Sequence, residues 1–303
     1  MRLPSAQIIH QGPVLATLGR AAFTALRQQL KPPAPGAFTT PGPVFETTIA
    51  PRATSLLVEY QRHVCGDTKA YRGVVPPHLW PQWGFPLSAK TLAGAPYPLL
   101  KVLNGGCRLE VRAPLPANEP LLVTAQLMDI DETERRAVLH QRVTTGTAST
   151  PDAIEANLYA IVPLQRKRSS EAGSKERARP EKIRPRVPLD ALELDRWRLP
   201  ADAGLAYAML TGDFNPVHWV PPYARAFGFK NTILHGFATM ARTWETLRVR
   251  RFSGDIARLG KLDVKFTRPL VLPARVGVFT RGDEVWVGDA PGAPAYLEGS
   301  FQR

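Results

Sequence analysis

Cysteine is nearly absent. Cys65 and Cys107 are the only two in 303 residues, so a disulfide framework is excluded, and no CxxC pair offers a redox motif or a cysteine zinc cluster. Both are expected to be small buried apolar side chains. Metal-ligand spacing is missing too. Of the six histidines, only His218 and His235 share one stretch, and neither is spaced with a Cys or a second His as zinc requires, so no metal is expected. Long apolar runs are lacking, and nothing approaches the ~20 residues of a membrane span, so no membrane partner is expected. Acidic residues are missing from the first 45 positions, which carry Arg2, Arg20, Arg27 and Lys31. A transit segment shares that composition, but no continuous apolar core follows it, and a cytoplasmic enzyme is the expectation.

What is present is a basic chain able to build a core. Net charge is +13 and 44% of residues are hydrophobic, which suits one large domain or two ordinary ones with an anionic partner. Much of the excess charge sits in "QRKRSSEAGSKERARPEKIRPR", residues 165–186. This run has no hydrophobic periodicity and reads as a solvated linker. No aromatic residue interleaves with its charges, so nucleic acid is not expected as a partner.

The linker, taken as 165–188, separates two segments with the same order of parts. The first, 46–164, carries "VEYQRHVCGD" at 58–67 and then "GGCRLEVRAPLPANEPLLVTAQL" at 105–127. The second, 189–303, carries "LAYAMLTGD" at 205–213 and then "GKLDVKFTRPLVLPARVGVF" at 260–279. Each runs from a short apolar helix to Gly-Asp, through a long segment, into an alternating strand. Further strands are predicted over 121–130, 135–144 and 155–162, and over 274–281, 284–287 and 295–301. In 235–249, Phe237, Met240, Trp244 and Leu247 recur at helical spacing and predict a buried helix. The matching first-half stretch, 77–94, is interrupted by Pro81 and Pro86, so no regular helix is predicted there. Space beside Trp80, Trp83 and Phe85 would then form a wider apolar tunnel. One helix wrapped by an antiparallel sheet, twice, is an α+β architecture in which the two sheets join side by side. Residues 1–45 form an N-terminal extension, with an amphipathic helix predicted over 14–30 and no assigned role.

Chemistry concentrates in "LTGDFNPVHWVPPYARAFGFKNTILHG", residues 210–236. Asp213 and His218 lie on either side of Asn215-Pro216, which biases the backbone away from a helix and aims both side chains from a rigid loop. A carboxylate beside an imidazole suits proton transfer to and from water. A serine triad has no support, because the stretch holds no serine and no nucleophile-elbow context.

The constellation Gly212-Asp213-x-Asn215-Pro216-x-His218, followed by Tyr223-Ala224, Gly228-Phe229 and Ile233-Leu234-His235-Gly236, resembles the MaoC-like dehydratases, which include R-specific enoyl-CoA hydratases. The first half is similar to the non-catalytic half of two-repeat hydratases through "PLLKVLNGGCRLEVRAPLP" at 98–116. The resemblance covers roughly residues 50–303 outside the linker and implies a double hot dog fold. It implies that Asp213 and His218 activate water for addition to C3 of a trans-2-enoyl thioester, carried by CoA or an acyl-carrier protein. Asn215 would orient the pair, the Gly236 N–H would bind the thioester oxygen, and His235 would be structural or substrate-binding. No cofactor is implied, and the chain is expected to be a monomer or homodimer. Arg225, Lys230, Lys265 and Arg268 are candidates for steering the CoA phosphates.

Three features depart from the family pattern, one of them His78, to which no family role transfers. Val220 replaces a usual acidic residue, and Asn104-Gly105-Gly106 stands where two-repeat relatives tend toward His-Gly-Glu. Thioester hydrolysis and non-catalytic acyl-thioester binding remain open alternatives. In the first half Asp67 is followed by Arg72 where the second half has a histidine, so one active site is expected.

Overall fold

The computed structural model describes residues 3–12, 14–16, 19, 39–97, 102–164 and 184–303. Most of the predicted helix over 14–30 and of the linker over 165–188 lies outside them. None of the described helices is long and apolar enough to cross a membrane.

Ten strands form one antiparallel sheet. They are β1 (Phe45–Ile49), β2 (Leu103–Val111), β3 (Leu121–Thr133), β4 (Arg136–Gly146), β5 (Ile154–Pro163), β6 (Leu192–Leu199), β7 (Lys261–Phe266), β8 (Ala274–Arg281), β9 (Glu284–Gly288) and β10 (Ala295–Gln302). Their spatial order is β1-β3-β4-β5-β2-β7-β10-β9-β8-β6. Read inward from either edge, each group of five has the same sequence: first, third, fourth, fifth, second. The repeat read from the sequence is therefore a repeat of topology. The two groups meet at β2 and β7, with Cys107 opposite Val264 and Leu109 opposite Leu262. At this seam a Cβ on Gly106 would fall 2.3 Å from the Val264 carbonyl oxygen, so the joint admits no side chain there.

Helices α1 (Thr54–His63), α2 (Pro81–Thr91), α3 (Ala203–Thr211), α4 (Pro221–Ala226) and α5 (Gly236–Arg251) accompany the sheet. The predicted stripe of α5 is core, since Phe237, Met240, Trp244 and Leu247 are all buried. One hydrophobic cluster runs through both halves, from Leu56 and Trp80 to Trp244 and Phe301. This is the double hot dog, α+β.

The expectation for residues 77–94 is corrected. An eleven-residue helix, α2, forms with Pro86 inside it. Pro81 stands at its first position, where the missing N–H has no partner to lose, and Pro86 removes a single bond to Gln82. Trp80, Trp83 and Leu87 are buried on its inner side, which offsets that loss. Trp80 packs edge-on against Phe85 and Phe237, with centroids 5.6 and 5.3 Å away. Trp83 Nε1 donates to Thr145 Oγ1 at 3.0 Å. The tryptophans are packed core, where the prediction had them lining a tunnel. Cys107 is buried as expected, but Cys65 is exposed.

A buried polar network crosses between the halves. Glu245 on α5 accepts from Tyr71 at 2.6 Å and from Arg248 at 2.8 Å, and pairs with His78 at 3.0 Å. Burial pushes the Glu245 carboxyl up, but the His78 bond and charge and the Arg248 guanidinium bring it down to about 2. A buried ion so fully partnered fixes the register of α5 against the first half.

Candidate active site

Helix α3 ends where the motif begins. Gly212 adopts φ 82°, the left-handed C-terminal cap, and its N–H donates to Ala208 at 2.8 Å. The chain then turns tightly. Asp213 Oδ1 accepts from the Asn215 N–H at 3.3 Å, and Asn215 Oδ1 accepts from the Val217 N–H at 3.2 Å. Pro216 starts a short 3-10 turn, Pro216–His218. The returning backbone lies directly on α3, where a Cβ on Gly204 would fall 2.1 Å from the His218 carbonyl oxygen. Glycine at 204 is thus a condition for placing His218.

Asp213, His218 and His235 converge, with one ligand atom from each lying within 4.8 Å of the others. The His218 and His235 rings stack at 3.6 Å between centroids and 23° between planes. Their hydrogen bonds set their tautomers. His218 Nδ1 donates to the Ile233 carbonyl at 2.9 Å, which leaves Nε2 with a free lone pair. His235 Nε2 donates to the Asp213 main-chain carbonyl at 2.9 Å and lies 3.8 Å from Oδ2 of the same residue. His235 thereby anchors the aspartate.

Burial keeps both rings neutral. It lowers the His218 pKa below the usual imidazole value, with the Asp213 charge and the Ile233 bond working the other way. Burial, reinforced by His218, takes His235 down to about 3. Behind them the Tyr207 ring packs 4.9 Å from His235, its hydroxyl pushed up by burial and then by the Asp213 charge. Tyr207 is not among the site residues expected from the sequence, although "LAYAMLTGD" and "VEYQRHVCGD" each carry a tyrosine near the Gly-Asp, and the ring of the other, Tyr60, lies 6.2 Å away.

The first N–H groups of α5, those of Gly236 and Phe237, precede the intrahelical ladder, which starts with Ala238 and Thr239 donating to His235. They face a region where a partial positive charge favours a developing anion. The Asn215 side chain is exposed and bonds its own turn. Among the described residues it makes no hydrogen bond to Asp213 or His218, so it shapes the loop rather than touching the pair. Arg225, Lys230 and Lys265 are exposed, and Arg268 sits over the Tyr296 ring at 5.1 Å. A cavity of about 610 Å³ lined by Arg250, Arg251 and Arg303 lies at the far end of α5 from the pair.

The three convergent side chains are also a candidate ligand set for a cation, which sequence spacing alone did not suggest. One nitrogen of each ring is already used on a carbonyl. His218 Nε2 and His235 Nδ1 are the nitrogens that remain.

Residues 176–286 match the family model for the MaoC like domain. The likeness to the MaoC-like family is carried by these residues. Three relatives show how far that likeness runs. A 3-hydroxyacyl-thioester dehydratase X of Mycobacterium tuberculosis is 32% identical over 41% of this chain and 41% of its own. Enoyl-CoA hydratase ChsH3 of the same organism is 31% identical over 55% of this chain and 56% of its own. Mouse peroxisomal multifunctional enzyme type 2 is 26% identical over 58% of this chain and 23% of its own. The chain therefore spans about half or less of the length of these relatives. The solved structure of HtdX from Mycobacterium tuberculosis superposes over 86% of this chain and 99% of its own, with a TM-score of 0.66 and 17% identity. Another Mycobacterium tuberculosis protein, described as a double hotdog fold, gives a TM-score of 0.54 over 87% of this chain and 96% of its own, at 13% identity. These likenesses establish the fold.

Proposed function

We propose that this chain is a lyase that hydrates a trans-2-enoyl-CoA to an R-3-hydroxyacyl-CoA, or runs the reverse dehydration, with Asp213 and His218 as its catalytic pair. The observation that carries this is a His218 ring nitrogen within 4.8 Å of an Asp213 carboxylate oxygen, on a ring whose Nδ1 is spent on Ile233 and whose Nε2 keeps its lone pair. Two acceptors bridged by one water, through bonds of ~2.8 Å at a tetrahedral angle, stand about 4.6 Å apart. A water here donates one hydrogen to each and presents its own lone pair to the substrate.

In the forward direction the water oxygen bonds to C3 while its proton passes to the pair. The C2=C3 electrons move onto the thioester as an enolate, and C2 then takes a proton back from the pair. The Gly236 N–H at the start of α5 donates to the thioester oxygen, a contact of a kind contributing ~3–4 kcal/mol to the transition state. The second half, 189–303, is the catalytic repeat, and the first, 46–164, is non-catalytic. The names of the dehydratase and hydratase relatives agree with this reaction class. The net charge of +13 suits a CoA or acyl-carrier thioester.

The test is the ultraviolet absorbance of the conjugated thioester across enoyl-CoAs of increasing chain length, with product stereochemistry determined. Loss of absorbance without release of free CoA thiol, giving the R product, is expected. Thiol release identifies a thioesterase, and binding without absorbance change identifies a binder.

A further inference from the structure

The segment ahead of the first repeat reaches the catalytic loop. Residues Ser5–Gln11 form a 3-10 helix in which Gln7 and Gln11 are buried. Gln11 is 0% exposed, although it belongs to an extension outside both topological repeats. Its Nε2 donates to Leu210 O at 3.0 Å, and lies 3.3 Å from both Met209 O and Gln7 O. Met209 and Leu210 occupy the last turn of α3, whose final carbonyls have no intrahelical partner. Gln11 therefore caps α3 from outside the helix, three residues before Asp213.

Two more contacts fix that cap. Gln11 Oε1 accepts from Gln82 Nε2 at 3.2 Å, and the same nitrogen donates to His10 O at 3.2 Å. Gln82 lies on α2, so the capping amide is oriented from the first half. Val14, 2% exposed, covers the cap glycine, and a Cβ on Gly212 would fall 2.6 Å from Val14 Cβ. A buried amide with both ends bonded is a rigid spacer, and losing it leaves buried carbonyls unpaired.

Building on the hydratase reading above, we propose that Gln11, with Val14, is a positioning residue that holds the end of α3 and hence the Asp213 carboxylate against His218. The N-terminal extension is then part of the active site's support. It acts on the chemical step rather than on substrate binding, because neither residue lies at the start of α5 where the thioester would bind.

The variants are Gln11→Met, which keeps the length and removes the bonds, and Val14→Ala as a milder second. Two readouts are used. In hydrogen–deuterium exchange, residues 209–215 should exchange at least about tenfold faster in Gln11→Met while α5 is unchanged, as local opening of one helix end requires. With enoyl-CoA, kcat should fall about 10- to 100-fold, the scale of a ~1 Å misplacement, with KM nearly constant. The same change made in an Asp213→Asn background should cost nothing further. Unchanged exchange at 209–215 overturns the proposal. So does faster exchange with unchanged kcat, or a kcat loss that persists in full without Asp213. If the wild-type chain hydrates no enoyl-CoA, the hydratase reading fails. The exchange result then decides separately whether Gln11 holds the loop.

Discussion

Two stacked imidazoles sharing one aspartate do different work because their hydrogen bonds select different tautomers. His218 spends Nδ1 on Ile233 and keeps Nε2 free, while His235 spends Nε2 on the Asp213 carbonyl. In the proposed reaction His218 is the base, and its lowered pKa sets a direction for catalysis. The acid limb of kcat/KM should lie below the ordinary imidazole value of about 6.5. A limb at or above that value, measured with enoyl-CoA, would contradict the buried neutral His218. His235 bears on stability instead. Burial lowers its pKa to about 3, and that of His63 as well. Between the unfolded value of about 6.5 and the folded one, the unfolded chain binds protons that the native chain does not. Stability is therefore complete above that window and falls as pH drops through it. Urea midpoints should decline steadily from about pH 6.5 downward. Midpoints that stay level toward pH 4 would show that these rings are not buried neutral.

At the scale of elements, α2 shows what proline does and does not forbid. Pro81 sits at the first helical position and costs nothing, whereas Pro86 deletes one bond inside the helix. Pro86→Ala restores an N–H able to donate to Gln82 O. It should stabilise the fold by ~1–3 kcal/mol, read as a higher urea midpoint. A lower midpoint would mean that the helix is shaped around the proline ring. The same helix marks a limit of sequence reading, since two prolines hid a register in which Trp80, Trp83 and Leu87 all reach the core. Central strands were legible because both neighbours bury alternate residues, and the predicted 274–281 coincides with β8. Strands β1 and β6 were not predicted; they are the two sheet edges, and β1 has no buried residue while β6 has only Trp197 and Leu199. Asp213 and His218 were readable from their local spacing. The roles of His235 and Gln11 were not, because they depend on contacts 22 and 199 residues apart in sequence.

Across the whole molecule the topology is symmetric and the chemistry is not. Both halves place a Gly-Asp after a short helix, yet the partners differ. Asp67 is exposed and accepts from the Lys69 N–H at 2.8 Å, with Arg72 where the other half has His218. Its bond closes a surface turn, so Asp67→Ala should cost no more than about 1 kcal/mol. The pseudo-equivalent of His235 is His78, since each packs against the tyrosine of its own repeat, at 4.9 and 5.4 Å between centroids. His78 is tied into the Glu245 network and has no carboxylate of its own repeat to work with. The proposal of one active site per chain rests on this asymmetry. The most direct test is the initial rate of enoyl-CoA absorbance loss for three folded proteins: wild type, Asp213→Asn and Asp67→Asn. Asp213→Asn should be slower by ~10²–10⁴, while Asp67→Asn keeps the wild-type rate. A wild-type rate from Asp213→Asn, or equal losses from both variants, would contradict a single catalytic pair in the second half.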